Sequence, residues 1–566
     1  MRRQSMEGII TNSPFYSAYT RDFTQVNKFY EYNPGDLSSF QGRKAWLERG
    51  YRQSRKVLVQ QLLEYNHQLG CSGDTAENIA LLGLEGTLAV VTGQQAGVAT
   101  GPLYTIYKAI TTIQLAEKLR VKLGVPVVPV FWVASEDHDY QEINHIFAMK
   151  GIGSFSKIAE LWGKGEPLPE RLSLAGYPQG SPPIGEITVG KQVFDFITQM
   201  ENYLPATVHK AAMLQLLGDT ARASTNLGEW FARLMTAFLG SYGLIIVDPL
   251  LPGLRQLLSP FFQRAIGQRR AIKQALNKKG KELQAMGYPV PFGTEDGITG
   301  LFTILKGQRL PLIYREGKFT IREELQWEEQ ELIQLAAKTP EQLSCSAYLR
   351  PIAQDCLLPT VAYVGGPGEV AYFAQLKDIY PLFNQQMPVV FPRQGFTLIE
   401  PKVGEIMERL GVELGEVYQK LPQVLNKVLK AQEEQDLDGI FAQAREGITK
   451  THQGLMEQLT SSNPGLQLMG PVNQSRIMYQ LEYLEKKAYQ HLRKIHRALV
   501  NELHFIAQAL FPKGKLQERT YNIVQFYAHY GNSLLERLLV EELDFSFRHR
   551  VVFLGEQEAY EDGKGE

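Results

Sequence analysis

Charged and amide side chains follow directly after short apolar runs at several places in this sequence. Carboxylates, amides, a histidine and two arginines in such positions suit a reaction that joins an amine to a carboxylate. Arg350 and Arg393 are each able to hold a carboxylate or a phosphate through two parallel hydrogen bonds, because the guanidinium group is planar. The candidate site residues are Gln94, Gln95, Glu136, Asp137, His138, Asp139, Asp248, Arg350, Gln354, Asp355 and Arg393.

His138 has acidic neighbours on both sides in the string EDHD. Nearby carboxylates raise the pKa of an imidazole, so we expect His138 to hold a proton and to act as acid or base in an amine-plus-carboxyl condensation. The alternative is a charge-paired surface histidine. No metal site is predicted, because adjacent residues at one strand end cannot all point to one ion and no second histidine follows at a ligand spacing.

Two glycine-rich stretches each connect a predicted strand to a predicted helix. The first, TGQQAGVATGPLY, places Gly101 before a helix expected to begin at Pro102, since proline suits the first helical position. The second, VAYVGGPGEV, repeats the order of strand, glycines and proline around Gly366. Free N–H groups at a helix N-terminus stabilise an anion, so these stretches predict an anion-binding crevice. The alternative is two ordinary turns, because neither stretch matches GxGxxG or GxxxxGK[ST].

Five apolar runs predict a buried parallel sheet. Continuous apolar strands are typical of the middle of such sheets, and their polar C-terminal ends are where open α/β sheets bind ligands. We therefore expect an α/β core over residues 1–400, with insertions at about 150–235 and 290–340. The runs cover residues 87–91, 125–133, 243–247, 360–364 and 388–391.

Beyond residue 400 the pattern becomes helical. Residues 436–460 and 472–510 are predicted helices separated by SSNPG, and the second helix carries apolar residues with an eleven-residue period. That period favours a long antiparallel hairpin with little left-handed supercoil. The long apolar seam indicates a homodimer formed through this arm, 401–512; the alternative is an arm that meets only water. Residues 513–566 are expected to dock back on the core.

The composition excludes several classes of protein. The chain has 566 residues, of which 44% are hydrophobic and 21% charged, with a net charge of −1; this argues against nucleic-acid and membrane surfaces as partners. Three cysteines without C-x-x-C spacing suit a reducing cytosol. No signal peptide and no apolar window of about 18 residues is present, so we expect a cytoplasmic protein. No acyl-serine or P-loop motif occurs.

Long strings of this sequence are characteristic of one family when taken together and in order. They are TGQQAGVATGPLYTIYKA, VFWVASEDHDYQEINH, YLRPIAQDCLLPTVAYVGGPGEVAYFAQL, FPRQGFTLIEPK and LQERTYNIVQFYAHYG. In these strings the chain resembles the bacillithiol synthase family, the cysteine-adding ligases of bacillithiol biosynthesis. The resemblance implies a Rossmann-like core related to class I aminoacyl-tRNA synthetases, with connecting-peptide insertions and a C-terminal coiled coil that dimerises.

The resemblance also implies the reaction, in which the carboxyl of L-cysteine joins the amine of glucosaminyl-malate. Arg350 and Arg393 would bind malate, and an adenine nucleotide, ATP or ADP, would lie near Gln517, Arg519 and Asn522. Gln94 and Gln95 would orient the substrate, and either Asp137 or His138 would transfer the amine proton. The chain lacks the HxGH and KMSKS-like motifs of the wider superfamily, so how the carboxyl is activated stays open.

Two other functions are compatible with the sequence. One is a non-catalytic nucleotide-binding scaffold dimerised through its coiled coil. The other is aminoacylation of tRNA, which the near-neutral charge disfavours because surfaces that track phosphates need clustered lysine and arginine.

Overall fold

The computed structural model describes residues 13–149, 169–176, 178, 180, 182–293, 295–321, 325–432 and 436–555. These residues fall into two compact units. The first runs to Leu398 and resumes at Lys515, and the second spans Ile399–Gly514.

Fourteen strands are formed within the described residues. They are β1 (Leu88–Gln94), β2 (Val127–Val133), β3 (His145–Ala148), β4 (Glu170–Ser173), β5 (Ile245–Val247), β6 (Ile298–Leu305), β7 (Gln308–Arg315), β8 (Lys318–Ile321), β9 (Leu325–Trp327), β10 (Leu343–Cys345), β11 (Thr360–Gly365), β12 (Val389–Pro392), β13 (Phe396–Ile399) and β14 (Arg550–Phe553).

Twenty α-helices accompany them in the same residues. They are α1 (Pro14–Arg21), α2 (Leu37–Gly50), α3 (Arg55–Leu69), α4 (Gly73–Leu82), α5 (Tyr104–Leu123), α6 (Tyr140–Ile143), α7 (Lys191–Tyr203), α8 (Lys210–Arg222), α9 (Leu227–Leu239), α10 (Pro252–Ala285), α11 (Glu329–Lys338), α12 (Arg350–Leu357), α13 (Pro367–Phe373), α14 (Pro401–Leu410), α15 (Leu414–Lys430), α16 (Leu437–Ser462), α17 (Met469–Ile495), α18 (Arg497–Leu510), α19 (Ile523–Tyr530) and α20 (Ser533–Leu539).

The core of the first unit is a parallel sheet in the order β12-β11-β1-β2-β5. Its central strands β1 and β2 are apolar and buried, as expected when helices cover both faces. The chain builds outward from β1 through β2 to β5, then returns to the other side of β1 for β11 and β12. This reversal puts a topological switch point between β1 and β11, where such sheets bind ligands beyond the strand ends. The predicted Rossmann-like parallel sheet is confirmed.

The first glycine-rich stretch differs from its prediction at the start of the helix. α5 begins at Tyr104 instead of Pro102, and Pro102 forms a bridge with Asn522. The Leu103 N–H donates to the Tyr521 carbonyl oxygen at 2.8 Å. The C-terminal segment therefore occupies one of the N–H groups that the sequence had suggested for an anion.

A second sheet in the first unit is antiparallel, in the order β10-β6-β7-β8-β9. The strand connections are short, and Gly317, between β7 and β8, takes a φ of 89° that favours glycine. β7 and β10 carry side chains that reach the strand ends of the parallel sheet, as described below.

The second unit is helical. α16 and α17 run antiparallel, because Arg445 pairs with Glu485 at 2.8 Å whereas His452, further along α16, contacts Asn473 at 3.1 Å. This confirms the predicted coiled coil. The predicted single helix over 472–510 is wrong, since His496 (ψ 36°) separates α17 from α18. Among the described residues, none of the helices is both long and apolar enough to cross a bilayer.

Candidate active site

A cavity of about 730 Å³ opens at the switch point of the parallel sheet. It is lined by the ends of β1 and β2, the first turn of α13, residues from α5 and α12, and the edge of the antiparallel sheet. Its charged and polar side chains are those of Gln94, Gln95, Tyr104, Lys108, Glu136, Asp137, Glu142, Arg309, Ser346, Arg350, Glu369, Tyr372, Arg393 and Arg519.

Lys108 joins the two glycine-rich stretches at the floor of this cavity. Its ammonium group lies 2.8 Å from the Gly93 carbonyl oxygen and 3.0 Å from Gln94 Oε1, and it forms an ion pair with Glu369. Glu369 in turn accepts the Gly366 N–H at 2.9 Å. Burial would raise the pKa of Glu369, but Lys108 and Arg350 outweigh it and lower that pKa. The start of α13 is therefore already capped by a carboxylate of the protein.

Arg350 lines the cavity and has one terminal nitrogen that makes no hydrogen bond to the described residues. Its Nη2 donates to the hydroxyls of Tyr372 at 2.7 Å and Tyr363 at 3.4 Å, and Glu369 lies 4.0 Å away. Its buried Nη1 has no hydrogen-bond partner among the described residues. A Cβ on Gly93 would lie 3.2 Å from this Nη1, so glycine allows the close approach. Arg350 thus reaches the cavity, and the anion-binding role that its residue type suggests stays a prediction.

Carboxylates stand on another side of the same cavity. Gln95 Nε2 donates to Asp137 Oδ2 at 2.7 Å and to Glu142 Oε2 at 3.0 Å. The backbone N–H of His138 donates to Asp137 Oδ1, also at 2.7 Å. Asp137 and Glu142 offer negative charge to an amine, and Gln95 fixes their orientation.

The predicted protonation of His138 is corrected by the structure. Arg309 Nη1 lies 2.9 Å from His138 Nδ1, and because an arginine N–H only donates, this Nδ1 must accept. The imidazole is therefore neutral, with its proton on Nε2. Burial and the charge of Arg309 lower the pKa of His138, outweighing Asp137 and Asp139. His138 also stays outside the cavity lining, which Arg309 and Phe302 form instead.

Glu136 lines the cavity with its charge already matched. Its Oε2 accepts from Arg255 at 2.6 Å, and its Oε1 lies 3.8 Å from the thiol of Cys345. Burial and Glu136 raise the pKa of Cys345, so this thiol stays protonated. The pair Glu136–Arg255 therefore supports the wall of the cavity.

Arg393 is also neutralised by the protein. Its two terminal nitrogens donate to both carboxylate oxygens of Glu518, at 2.8 and 2.5 Å, and both side chains are buried. Burial would raise the pKa of Glu518, but Arg393 lowers it. The bidentate partner expected for Arg393 in a ligand is thus supplied by the C-terminal segment.

A second cavity, of about 310 Å³, shares Gln94, Gln95, Tyr104, Glu142 and Arg519 with the first. Gly101, Lys515 and Asn522 also line it. The Asn522 amide donates to the Ala99 carbonyl oxygen at 2.8 Å. Gln517 lies outside both linings, since its amide bonds with the N–H and the carbonyl of Leu398 at 2.9 Å each.

Asp139 is exposed and lies outside both cavities. Three further predicted residues, which are buried, also lie outside them. Asp248 is buried and bonded to Ser135 and to the Leu250 N–H. Gln354 and Asp355 are fully buried on α12, and Asp355 accepts from the Tyr380 hydroxyl at 2.9 Å. Burial raises the pKa of Asp355 to about 6. These residues followed strands or preceded them in sequence, but their side chains point into the core.

Sequence reasoning missed seven polar side chains of the cavity lining: Tyr104, Lys108, Glu142, Arg309, Ser346, Glu369 and Tyr372. Glu369 was visible in the GGPGE string, three residues after Gly366, a spacing typical of a helix cap. Arg309 carried no signal, because its position depends on how the antiparallel sheet meets the strand ends.

Two family models together match nearly the whole chain. Residues 1–394 match the family model described as bacillithiol biosynthesis BshC, N-terminal Rossmann-like domain, and residues 396–554 match bacillithiol biosynthesis BshC, C-terminal coiled-coil domain. The chain belongs to the BshC family. The boundary between the two BshC matches falls within a few residues of Leu398, where the first compact unit is interrupted.

Named BshC relatives cover almost the full length of the chain. A protein of Desulforamulus reducens named "Putative cysteine ligase BshC" is 34% identical over 547 residues, covering 96% of this chain and 98% of that protein. A protein of Symbiobacterium thermophilum with the same name is 33% identical, over 98% of this chain and 100% of its own length.

Within the described residues, no three histidine, cysteine, aspartate or glutamate side chains gather in a way that would hold a metal ion.

Proposed function

We propose that this protein joins the carboxyl of L-cysteine to the amine of glucosaminyl-malate, the last step of bacillithiol biosynthesis. The observation that carries the proposal is the division of charge in the large cavity. The guanidinium group of Arg350 lines one side, and the carboxylates of Asp137 and Glu142 line another. A substrate with carboxylates at one end and an amine at the other fits this division.

The residues take distinct parts in that reaction. Arg350 binds a malate carboxylate through its guanidinium group, which lines the cavity. Gln94 and Gln95 orient the substrates, since both amides line the cavity and Gln95 is anchored by two carboxylates. The neutral amine nitrogen forms a bond to the carbon of an activated cysteine carboxyl group. The bond from that carbon to one carboxyl oxygen breaks, this oxygen leaves with the activating group as an anion, and Asp137 takes the proton that the nitrogen loses.

An adenine nucleotide is proposed for the second cavity. Lys515 and Arg519 are exposed there, and no carboxylate of the described residues lies within 4.0 Å of either charge, so both fit a phosphate. Gln517 and Asn522 fit less well, because their amides are already bonded to backbone groups. When bound, the nucleotide would supply a phosphate for carboxyl activation.

A homodimer through the helical arm is proposed as well. Val472, Tyr479 and Tyr483 are exposed on α17 at spacings of seven and four residues, which places them on one face. A second copy of the arm would remove this face from water.

A cytoplasmic location is proposed as well, because the three cysteines are free thiols.

The test is purified protein incubated with glucosaminyl-malate and L-cysteine, with and without ATP, and analysed by mass spectrometry. The cysteinyl amide is the expected product. Absence of that product under every condition rejects the function. Arg350→Met, with Arg315→Gln as an exposed control, separates an enzyme from a scaffold: an enzyme should lose substrate affinity by about 2–5 kcal/mol, and a scaffold none.

A further inference from the structure

Arg309 is a buried arginine in the cavity wall that meets no carboxylate. It lies on β7 with 6% of its surface exposed. Its Nε donates to Ser344 Oγ at 2.9 Å, its Nη2 to the Cys345 carbonyl oxygen at 2.7 Å, and its Nη1 to His138 Nδ1. All three acceptors are uncharged. No carboxylate among the described residues comes within 4.0 Å of it.

The other buried cations around this cavity are matched. Lys108 pairs with Glu369, Arg255 with Glu136 and Arg393 with Glu518. A buried charge without a counter-charge carries a desolvation cost that hydrogen bonds to neutral groups offset only in part. Each terminal nitrogen of Arg309 also keeps a second N–H for which the described residues supply no acceptor. An anionic group in the cavity would meet both needs.

We propose that Arg309 binds a substrate carboxylate in the large cavity and that His138 is a positioning residue for Arg309. This rests on the proposed function, which supplies the carboxylates. The guanidinium is fixed on three sides by its hydrogen bonds and packs on the Phe302 ring, 3.8 Å from the ring centroid. Arg309 is therefore ordered before the ligand arrives, which lowers the entropic cost of binding.

His138 can hold Arg309 only while its imidazole is neutral. The charged groups that face the imidazole are Arg309, Asp137 and Asp139, and the Phe302 ring lies 6.0 Å from it. A protonated imidazole would have no lone pair on Nδ1 and would place a second positive charge beside the guanidinium. The histidine thus acts on the arginine, and the arginine acts on the ligand.

The ligand carboxylate has two sources in this reaction, glucosaminyl-malate and L-cysteine. The two are distinguished by titrating L-malate and L-cysteine separately into the full-length protein by calorimetry. Arg309→Gln is the main variant. Arg309→Lys keeps the charge and the stem in case the neutral variant does not fold, and Arg315→Gln, on the same strand but exposed, is the matched control.

We expect Arg309→Gln to weaken the binding of one ligand by at least about tenfold, as for loss of a charged hydrogen bond. Arg309→Lys should weaken the same ligand to a smaller extent, and Arg315→Gln should bind as wild type. The ligand affected identifies the carboxylate. Wild-type affinity for both ligands in either Arg309 variant overturns the inference, as does the absence of saturable binding to the wild type.

The positioning part is tested by rescue. His138→Gln keeps an acceptor for Arg309, whereas His138→Leu does not; the first should retain the affinity that the second loses, at equal thermal stability. Equal affinities for these two variants overturn the role of His138. If ligand binding depends on Arg309 but no amide ever forms, the proposed function fails alone. If the amide forms with an unchanged KM in Arg309→Gln, only the inference fails.

Discussion

Lys108 donates a 2.8 Å hydrogen bond to the carbonyl oxygen of Gly93, at the point where the central strand of the sheet ends. The same ammonium group contacts Gln94 Oε1 and pairs with Glu369. Three acceptors around one nitrogen require all three N–H bonds of the charged form, because a neutral amine has only two. Although burial lowers the pKa of Lys108, this nitrogen has no lone pair to offer a substrate. Lys108 therefore has a structural role: it connects the end of β1 to the start of α13.

Lys108→Met should therefore destabilise the fold, since it leaves Glu369 in the cavity floor without its nearest cation. Removal of one partner of a buried ion pair costs about 3–5 kcal/mol. Urea unfolding measures the loss. The double variant Lys108→Met/Glu369→Gln should recover part of it, because no unpaired charge remains. If the double variant lost as much unfolding free energy as the two single variants together, the structural role of the Lys108–Glu369 pair would be contradicted.

Gly93→Ala should disturb the cavity because the new Cβ would lie 2.9 Å from the Trp132 carbonyl oxygen and 3.2 Å from Arg350 Nη1. Overpacking of this kind costs about 1–3 kcal/mol, and a displaced Arg350 should raise the KM for glucosaminyl-malate. Gly267→Ala is the control, since its Cβ would meet no atom within 4 Å. It lies in helix α10 and should be neutral or slightly stabilising. An unchanged KM for glucosaminyl-malate in Gly93→Ala would show that Arg350 does not need a glycine at position 93.

Much of the fold was predictable because local patterns determine it. Runs such as VPVVPVFWV are apolar on both faces, which only a buried strand tolerates, and β2 forms there. The break at His496 was not predictable, since the apolar spacing continues through it on both sides. The prediction that the helix starts at Pro102 was wrong because two residues distant in sequence pair with the backbone there. The Tyr521 carbonyl accepts the Leu103 N–H, and Asn522 forms a bridge with Pro102.

The site was predictable only to the level of strand ends. Gln95 and Asp137 reach the cavity because they follow the C-terminal ends of β1 and β2, whereas Arg350 reaches it from the start of α12. Charge matching is a tertiary property, so the sequence did not reveal that Arg393 meets Glu518 or that Arg309 lowers the pKa of His138. Neighbours in sequence suggested a protonated histidine, whereas a residue 171 positions away decides its state.

The proposed homodimer predicts a specific response to charge on the arm. Tyr483→Glu combined with Tyr479→Glu places two negative charges on the exposed apolar face of α17, and a buried interface does not tolerate unpaired charge. Sedimentation should show a monomer. Glu482→Lys, on a neighbouring face of the same helix, should leave the dimer intact. A wild-type chain that sediments as a monomer at high concentration would dismiss the arm interface.

Asp355 should make stability fall as pH rises. Burial raises its pKa to about 6, and one of its oxygens has no hydrogen-bond partner among the described residues. Its pKa in the unfolded chain is about 3.9, so between about pH 4 and pH 6 the folded state holds a proton that the unfolded state has lost. The favourable contribution is complete at low pH and is lost above the folded pKa. The total is up to about 3 kcal/mol.

Asp355→Asn removes this titration and keeps an oxygen for the Tyr380 hydroxyl. Relative to wild type, the variant should gain stability as pH rises from about 4.5 to about 7.5 in urea unfolding. Comparison with wild type at each pH is essential, because Glu369 and Glu518 have lowered pKa values and act in the opposite direction on both proteins. Asp195→Asn, an exposed carboxylate, should show no such trend. A constant difference between Asp355→Asn and wild type across this range would mean that Asp355 titrates alike in the folded and unfolded chains.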